Sequence, residues 1–104
     1  MKKIECIVRP EKFEAVKEIL RKSGVGGLTA YKVAGFGKKR GRSAKELIDY
    51  FKIEVYADDF QADSVVEMII RTAKTHEHGD GKVAASDVEH LYCIRTGVEG
   101  AQAV

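Results

Sequence analysis

The sequence has no apolar run close to the roughly 20 residues that a membrane-spanning helix requires. No Cys-x-x-Cys pair is present either: Cys6 and Cys93 lie far apart in apolar segments, which favours buried free thiols in a reducing compartment. Residues 1–5 lack the apolar core of a secretory signal, so we expect a cytoplasmic protein. The formal net charge is only +2, which argues against nucleic-acid binding by the whole surface.

The composition is that of a folded domain, because 44% of the 104 residues are apolar and 33% are charged. This length predicts a single domain, residues 1–104. A domain of this size buries only about two-thirds of the surface that its unfolded chain exposes. Assembly into a symmetric oligomer would relieve that limit.

Alternating apolar and polar residues predict strands over residues 4–8, 28–36 and 51–56. Weaker runs predict a fourth strand that opens at 83–85 and a short fifth strand at 91–95. The first of these strands is the most regular, since Lys3 and Glu5 alternate with apolar neighbours.

Two amphipathic helices are predicted between these strands. The first begins at Pro10, which suits the first turn of a helix, and ends near Gly24, a typical left-handed cap. The second is capped by Asp58 or Asp59 and fades near Thr75. The order strand-helix-strand, repeated twice, predicts an α+β fold: a ferredoxin-like βαββαβ sandwich with a four-stranded antiparallel sheet, two helices on one face and a short extra C-terminal strand. The other face must meet solvent, a ligand or another subunit.

Two glycine-rich loops, residues 35–37 and 79–81, are each followed by basic residues. Successive backbone N–H groups in such a loop can form an anion-binding nest, to which a following lysine adds positive charge. A loop of this kind is more often a simple turn, and neither loop matches the Walker pattern. Arg95, which precedes Thr96 and Gly97, strengthens the hypothesis of phosphate binding without settling it.

The segment 38–50 is too long for a tight hairpin, and Ala44, Leu47 and Ile48 give it a half-helical pattern. Its basic start is most often a solvated loop, while the functional interpretation is a contact with phosphate or with a partner. The last residues, 98–104, are small and predict a flexible tail.

Three other functions are compatible with parts of the sequence. His76 and His78 could bind a metal, although exposed loop histidines are the more common explanation. An RNA-binding module shares this strand order, but Gly35-Phe36-Gly37 ends the second strand rather than the third. An acylphosphatase-like enzyme uses an asparagine, which this chain lacks, and no nucleophile elbow is recognisable.

Five motifs, in the right order along nearly the whole chain, resemble those of the P-II nitrogen-regulatory family. "MKKIECIVRPEKFEAVKEIL" resembles the family's opening, and "VAGFGKKRG" resembles the start of its long effector loop. "KIEVYADD" resembles the strand after that loop, "HGDGKV" its nucleotide loop and "IRTGVEG" its C-terminal signature.

The resemblance implies a homotrimer that binds ATP, ADP or AMP between subunits, with Mg²⁺ as an accompanying ion. It implies a regulatory binding protein of nitrogen utilisation, not an enzyme, that acts on a partner enzyme or membrane transporter through the loop at 38–50. The residues implied to line the nucleotide site from several sides are Ile7, Gly35, Phe36, Gly37, Lys38 and Glu54. Those implied to hold the phosphates are Gly79, Asp80, Gly81, Lys82 and Arg95, with Leu28 and Thr29 near the base. The residues predicted to contact the partner are Lys39, Arg40, Arg42 and Leu47.

Several departures from the family pattern modify these expectations. The effector loop is shorter than usual and lacks the family's "YRGAEY" segment, so uridylylation there is not expected. Lys39 stands where a glutamine usually helps to hold Mg²⁺ and 2-oxoglutarate; a lysine ammonium only donates, which predicts weak or absent 2-oxoglutarate binding. Cys93 replaces a phosphate-binding arginine, which predicts a weaker preference for ATP over ADP. The alternative is a trimeric sensor of the same fold for a metal, at His76 and His78, or for a small anion such as bicarbonate.

Overall fold

The computed structural model describes residues 1–37 and 46–104. Within these ranges the chain forms strands β1 (Lys2–Val8), β2 (Thr29–Gly35), β3 (Ile48–Ala57) and β4 (Gly81–Asp87), and helices α1 (Pro10–Lys22) and α2 (Asp59–Ala73). The strands make one antiparallel sheet in the order β2-β3-β1-β4. This arrangement confirms the predicted ferredoxin-like fold.

The core lies between the two helices and one face of the sheet. On β1 the alternate residues Ile4, Cys6 and Val8 are at most 2% exposed, as the sequence pattern predicts. They pack with apolar residues of β3 and of both helices: Val16, Leu20, Ile53, Val55, Ala57, Ala62, Val65, Ile69 and Ala73. Because β1 pairs with both β3 and β4, its buried face anchors the centre of the sheet.

Both helix starts follow the sequence signals. Pro10 occupies the first position of α1, where its missing N–H costs no hydrogen bond. Asp58 is the residue before α2, and its backbone N–H donates to Gln61 Oε1 at 3.2 Å. Asp59 instead pairs with the N-terminal amine of Met1 at 2.6 Å, so Asp58 is the capping residue of the two.

The opposite face of the sheet carries paired charges as well as some apolar side chains, such as that of Ile7. Lys3 Nζ lies 3.7 Å from Glu54 Oε2, and Lys52 Nζ lies 3.2 Å from Glu5 Oε2. The hydroxyl of Tyr31 donates to Glu54 at 3.0 Å. The four charged side chains are half-buried within a single chain and Tyr31 is exposed, so the charges on this face are already paired.

Strand β3 begins at Ile48, three residues before the predicted start at 51. Pairing explains the extension, since Ile48 lies opposite Gly35 and Tyr50 lies opposite Val33 on β2. The half-helical pattern that included Ile48 was therefore misleading, because the neighbouring strand decides the conformation there.

The predicted short fifth strand at 91–95 is wrong in detail: these described residues form a turn and a single bridge between Tyr92 and Glu99. Gly97, with a φ of 72°, reverses the chain and donates to the Cys93 carbonyl at 2.7 Å, which leaves no length for a ladder. The following residues form a 3₁₀ helix, Gly100–Ala103. Val104 then packs so closely on Gly26 that a Cβ there would lie 2.6 Å from Val104 Cγ1.

In residues 1–37 and 46–104, neither helix has the length and apolar character needed to cross a membrane.

Candidate functional site

A cleft of about 520 Å³ opens where the end of β2, the end of β1 and the start of β4 meet. Both glycine segments line it, although more than forty positions separate them in the sequence. The predicted site residues that the cleft brings together are Ile7, Gly35, Phe36, Gly37, Gly79, Asp80, Gly81 and Lys82. Residues not predicted from the sequence also line it: Val33, Ala34, Tyr50, Lys52, Glu77 and His78.

Strand register explains why two lysines meet at this cleft. Ile7 on β1 lies opposite Lys52 on β3 and opposite Lys82 on β4. Three residues in register across neighbouring strands point to the same face of the sheet. Both lysines therefore lie on the same face of the sheet as Ile7, at the floor of the cleft, where Lys52 is also ion-paired with Glu5. The alternation of apolar and polar residues along β3 is the sequence signal that could have placed Lys52 on the same face of the sheet as the cleft.

At Gly81 the backbone of β4 lies very close to the backbone of β1. Its φ is 103°, and a Cβ added to it would lie 1.7 Å from the carbonyl oxygen of Ile7. No other residue type can occupy that space without moving β1 or β4. Glycine here is a steric requirement of the sheet edge, whatever the cleft binds.

Asp80 organises the loop that precedes β4. One oxygen accepts from Arg9 Nε at 2.9 Å and from the Thr75 hydroxyl, and the other accepts from the backbone N–H groups of Thr75 at 2.8 Å and His76 at 3.0 Å. Burial raises the pKa of the Asp80 carboxyl, but the hydrogen bonds from Thr75 and Arg9 outweigh it and hold the pKa well below its usual range. Asp80 is therefore ionised and engaged with its own protein.

Arg9 contacts the loop before β4 and was not predicted from the sequence. Its Nε donates to Asp80, and its Nη2 donates to the carbonyl of His78 at 2.8 Å. The side chain is 24% exposed, so the guanidinium lies partly beneath the loop. No local sequence motif indicates these contacts, because Asp80 lies 71 positions away from Arg9 in the sequence.

The segment 35–37 is packed much less closely against the rest of the chain than the segment 79–81. A Cβ on Gly35 would have nothing within 4 Å, and the ring of Phe36 is 57% exposed. Tyr50 approaches the opposite loop instead, with its hydroxyl 3.8 Å from the position of a Gly79 Cβ. One wall of the cleft is therefore well braced and the other is open.

Four predicted site residues lie away from this cleft in the single chain. Leu28 lines a separate depression with Val25, and Thr29 and Glu54 pair with each other across β2 and β3. Arg95 is exposed in the turn after Cys93. Lys38, Lys39, Arg40 and Arg42 lie outside the described residues, whereas Leu47 is described and is 62% exposed.

The two cysteines differ in environment, contrary to the expectation that both are buried. Burial raises the pKa of the Cys6 thiol to about 11. Cys93 is only half-buried, and hydrogen bonds from the Thr96 side chain and from the Thr96 and Arg95 backbone lower the pKa of its thiol. In the described residues both thiols are free.

His76 and His78 do not form a pair. His78 lines the cleft, whereas His76 lines a different depression with Glu67 and Arg71. His76 also has a φ of 69°, so the backbone turns between the two rings. Among residues 1–37 and 46–104, no group of three or more metal-ligating side chains comes together. Within one chain, His76 and His78 therefore do not share a site that could hold a metal.

Comparison with known proteins identifies the family. A family model described as Nitrogen regulatory protein P-II matches residues 1–98. The chain is 47% identical over 104 positions to the Nitrogen regulatory protein P-II of Porphyra purpurea, covering 92% of this chain and 93% of that protein. It is 41% identical over 112 positions to the protein of the same name from Nostoc punctiforme, covering 100% of both. Since this chain has 104 residues, eight of those 112 positions have no counterpart in it.

A match over 98 residues and identities above 40% across the chain are far more specific than any one motif. The chain belongs to the P-II nitrogen regulatory protein family, whose members are signal-transduction regulators and not enzymes.

Proposed function

We propose that this protein is a P-II signalling protein that binds an adenine nucleotide in the cleft and thereby regulates a partner protein. The observation that carries the proposal is that one cleft of about 520 Å³ is lined by both glycine segments and by Lys52 and Lys82. Small-molecule pockets typically measure about 300–1,000 Å³. Backbone donors at residues 79–82 and the Lys82 ammonium suit phosphates, and the exposed Phe36 ring suits an apolar part of the ligand.

The proposal includes a homotrimer with sites between subunits. Leu28 and Thr29, which the family resemblance associates with the base, lie away from the cleft of their own chain. A second subunit that contributes them would complete the site and would cover the polar face of the sheet. Light scattering at micromolar concentration should give the mass of three chains, and a monomer mass would contradict this part.

The proposed signalling surface is the loop predicted at 38–50, whose last three residues, 48–50, form the start of β3. Its described end bears Leu47, an apolar side chain that is 62% exposed immediately before β3. A nucleotide bound at residues 35–37 would bias the conformers of the loop that starts there, and a partner that prefers one conformer would sense the ligand. The partner is proposed to be an enzyme of nitrogen utilisation or a membrane transporter, contacted from the cytoplasm.

A second small ligand is proposed to modulate this signal. Lys39 cannot give a carbonyl oxygen to Mg²⁺, so Mg²⁺-dependent binding of 2-oxoglutarate should be weak or absent. A small anion such as bicarbonate is the proposed replacement. Tight binding of 2-oxoglutarate that requires Mg²⁺ and ATP would contradict the proposal.

Calorimetry with ATP, ADP and AMP tests the nucleotide site. Lys82→Ala should weaken ATP binding about ten- to a hundred-fold, because one charge-assisted bond is worth about 1.5–3 kcal/mol. Lys22→Ala is the matched control, since Lys22 is an exposed lysine in the last turn of α1 and does not line the cleft. Equal affinities in the two variants would remove the proposed site.

The signalling loop is tested by capture of partners with ATP, with ADP and without nucleotide. The wild type is compared with a chain in which residues 40–47, which precede β3, are replaced by Gly and Ser. We expect nucleotide-dependent capture that the replacement abolishes. The same proteins captured under all conditions by both chains would show that the loop is not the signalling surface.

A further inference from the structure

The cleft contains a carboxylate where the proposed ligand brings negative charge. Asp80 lines the cleft beside Lys82, and Glu77 lines it as well. Like charges at close range repel, and the repulsion is strong where side chains are partly shielded from water. A phosphate site at residues 79–82 therefore requires that the charge of Asp80 be offset.

Arg9 is the group placed to offset it. The Arg9 and Asp80 side chains are 24% and 23% exposed, and their contact at 2.9 Å is both an ion pair and a hydrogen bond. The other carboxylate near Arg9 is Glu11, which is 67% exposed and 3.9 Å away, so its interaction is weaker. The arginine is thus directed mainly at Asp80.

The anchor of Arg9 is rigid. The residue stands between the last residue of β1, Val8, and the first of α1, Pro10, so both the sheet and the helix fix its backbone. From there one guanidinium reaches two points of the loop, the Asp80 carboxylate and the His78 carbonyl. Two contacts from one planar group define an orientation as well as a distance.

We propose that Arg9 is a positioning residue of the nucleotide cleft, which holds the loop at 75–81 through Asp80 and His78 and cancels the charge of Asp80 beside the phosphates. The first part, that Arg9 holds the loop, is based only on its contacts with Asp80 and His78. The second part, that Arg9 cancels the charge of Asp80, rests on the proposed nucleotide function. The two parts are therefore measured separately.

Hydrogen exchange without ligand tests the holding of the loop. Arg9→Met should accelerate exchange of the backbone amides at 75–81 by about ten-fold, the equivalent of one lost charge-assisted contact. Arg21→Met is the matched control, because it removes one positive charge from an exposed site in the last turn of α1 that does not line the cleft. Equal exchange at 75–81 in the two variants would overturn this part, whether or not any nucleotide binds.

Calorimetry with ATP and AMP tests the cancelling of charge. Arg9→Met should weaken ATP binding about ten-fold and AMP binding less, since ATP carries more charge toward Asp80. The double variant Arg9→Met/Asp80→Asn removes the carboxylate charge as well. It should restore the wild-type ratio of ATP to AMP affinity while exchange at 75–81 stays fast. A ratio that Arg9→Met leaves unchanged would overturn the charge argument.

Arg9→Lys keeps the positive charge, but its ammonium cannot reproduce the two guanidinium hydrogen bonds to Asp80 and His78. This variant replaces Arg9→Met in both measurements if Arg9→Met does not fold. It should accelerate exchange at 75–81 and leave the ratio of ATP to AMP affinity unchanged. If Lys82→Ala weakens nucleotide binding while Arg9→Met and Arg9→Lys match Arg21→Met in both measurements, the inference on Arg9 is wrong and the proposed function stands. If the wild type binds no nucleotide, the proposed function fails, and exchange at 75–81 still decides whether Arg9 holds the loop.

Discussion

The two glycine segments of the cleft have similar sequences and opposite physical situations. The segment 79–81 is braced by the Asp80 hydrogen bonds and by the contact between Gly81 and the Ile7 carbonyl. The segment 35–37 extends beyond the end of β2, with open space around Gly35 and an exposed Phe36 ring. Glycine is required by close packing in the first segment, and in the second it leaves space.

This difference predicts that the segment 79–81 contributes mainly to the stability of the fold and the segment 35–37 mainly to ligand binding. Contacts around 79–81 belong to the ligand-free fold, so substitutions there should reduce stability before they affect a ligand. The segment 35–37 contributes little to the fold, so substitutions there should change ligand binding with little cost in stability. The following predictions test that division in order of expected effect.

The largest effect is expected for Gly81→Ala. The new Cβ would lie 1.7 Å from the Ile7 oxygen at a φ of 103°, so β4 must separate from β1 or the backbone must change. We expect a loss of at least about 3 kcal/mol in the free energy of unfolding, or no folded protein. Urea unfolding followed by circular dichroism measures it.

Gly35→Ala is the control for that substitution. It adds the same methyl group at a site with nothing within 4 Å, so the free energy of unfolding should change by less than about 1 kcal/mol. Equal losses in the two variants would contradict the division between the segments.

A smaller effect is expected from acid. Burial acts to raise the pKa of Asp80, but the Thr75 and Arg9 hydrogen bonds lower it overall, so the ionised form stabilises the fold. This stabilisation is complete above the unfolded pKa of about 3.9 and is lost as the pH falls through the lower folded value. The difference in unfolding free energy between wild type and Asp80→Asn should therefore shrink below about pH 4. A difference that stays constant from pH 7 to pH 3 would show that the Asp80 contacts do not depend on its charge.

The smallest effect on stability is expected for Phe36→Ala. Since the ring is 57% exposed, the free energy of unfolding should change by no more than about 0.5 kcal/mol. Nucleotide affinity should fall by up to about ten-fold, because a ring contact contributes about 0.5–1.5 kcal/mol. Thermal unfolding and calorimetry on the same sample measure both. A large loss of stability would mean that the open wall is as important to the fold as the braced one.

The fold could be predicted where local chemistry decides the conformation. Alternation identified β1, Pro10 marked the start of α1, and Asp58 marked the start of α2. The prediction was wrong where pairing decides: β3 starts early because β2 lies beside Ile48, and residues 91–95 turn instead of extending. Neither outcome has a signal within the segment itself.

The sequence identified both glycine segments and Lys82, which the structure brings to one cleft, because glycine-rich loops followed by basic residues stand out in it. Lys52 and Arg9 were not identified, since their roles come from register and from a partner 71 positions away. Every predicted ligand contact stays a prediction, including those of Leu28, Thr29, Glu54 and Arg95, as does the partner contact of Leu47. Those of Lys38, Lys39, Arg40 and Arg42 fall outside the described residues.

The pairing of β1 with β4 has a consequence for the order in which the protein is made. Ile7 on β1 is synthesised before the neighbours that build the cleft on its far side, Gly81 and Lys82, which belong to β4. A ribosome-bound chain that has not yet released β4 has no cleft, however well its first helix and strands have folded. Truncated chains that end before residue 81 would lack the same wall of the cleft and should not bind the proposed nucleotide. Nucleotide binding by a chain during synthesis would therefore indicate that β4 has been made and has paired with β1.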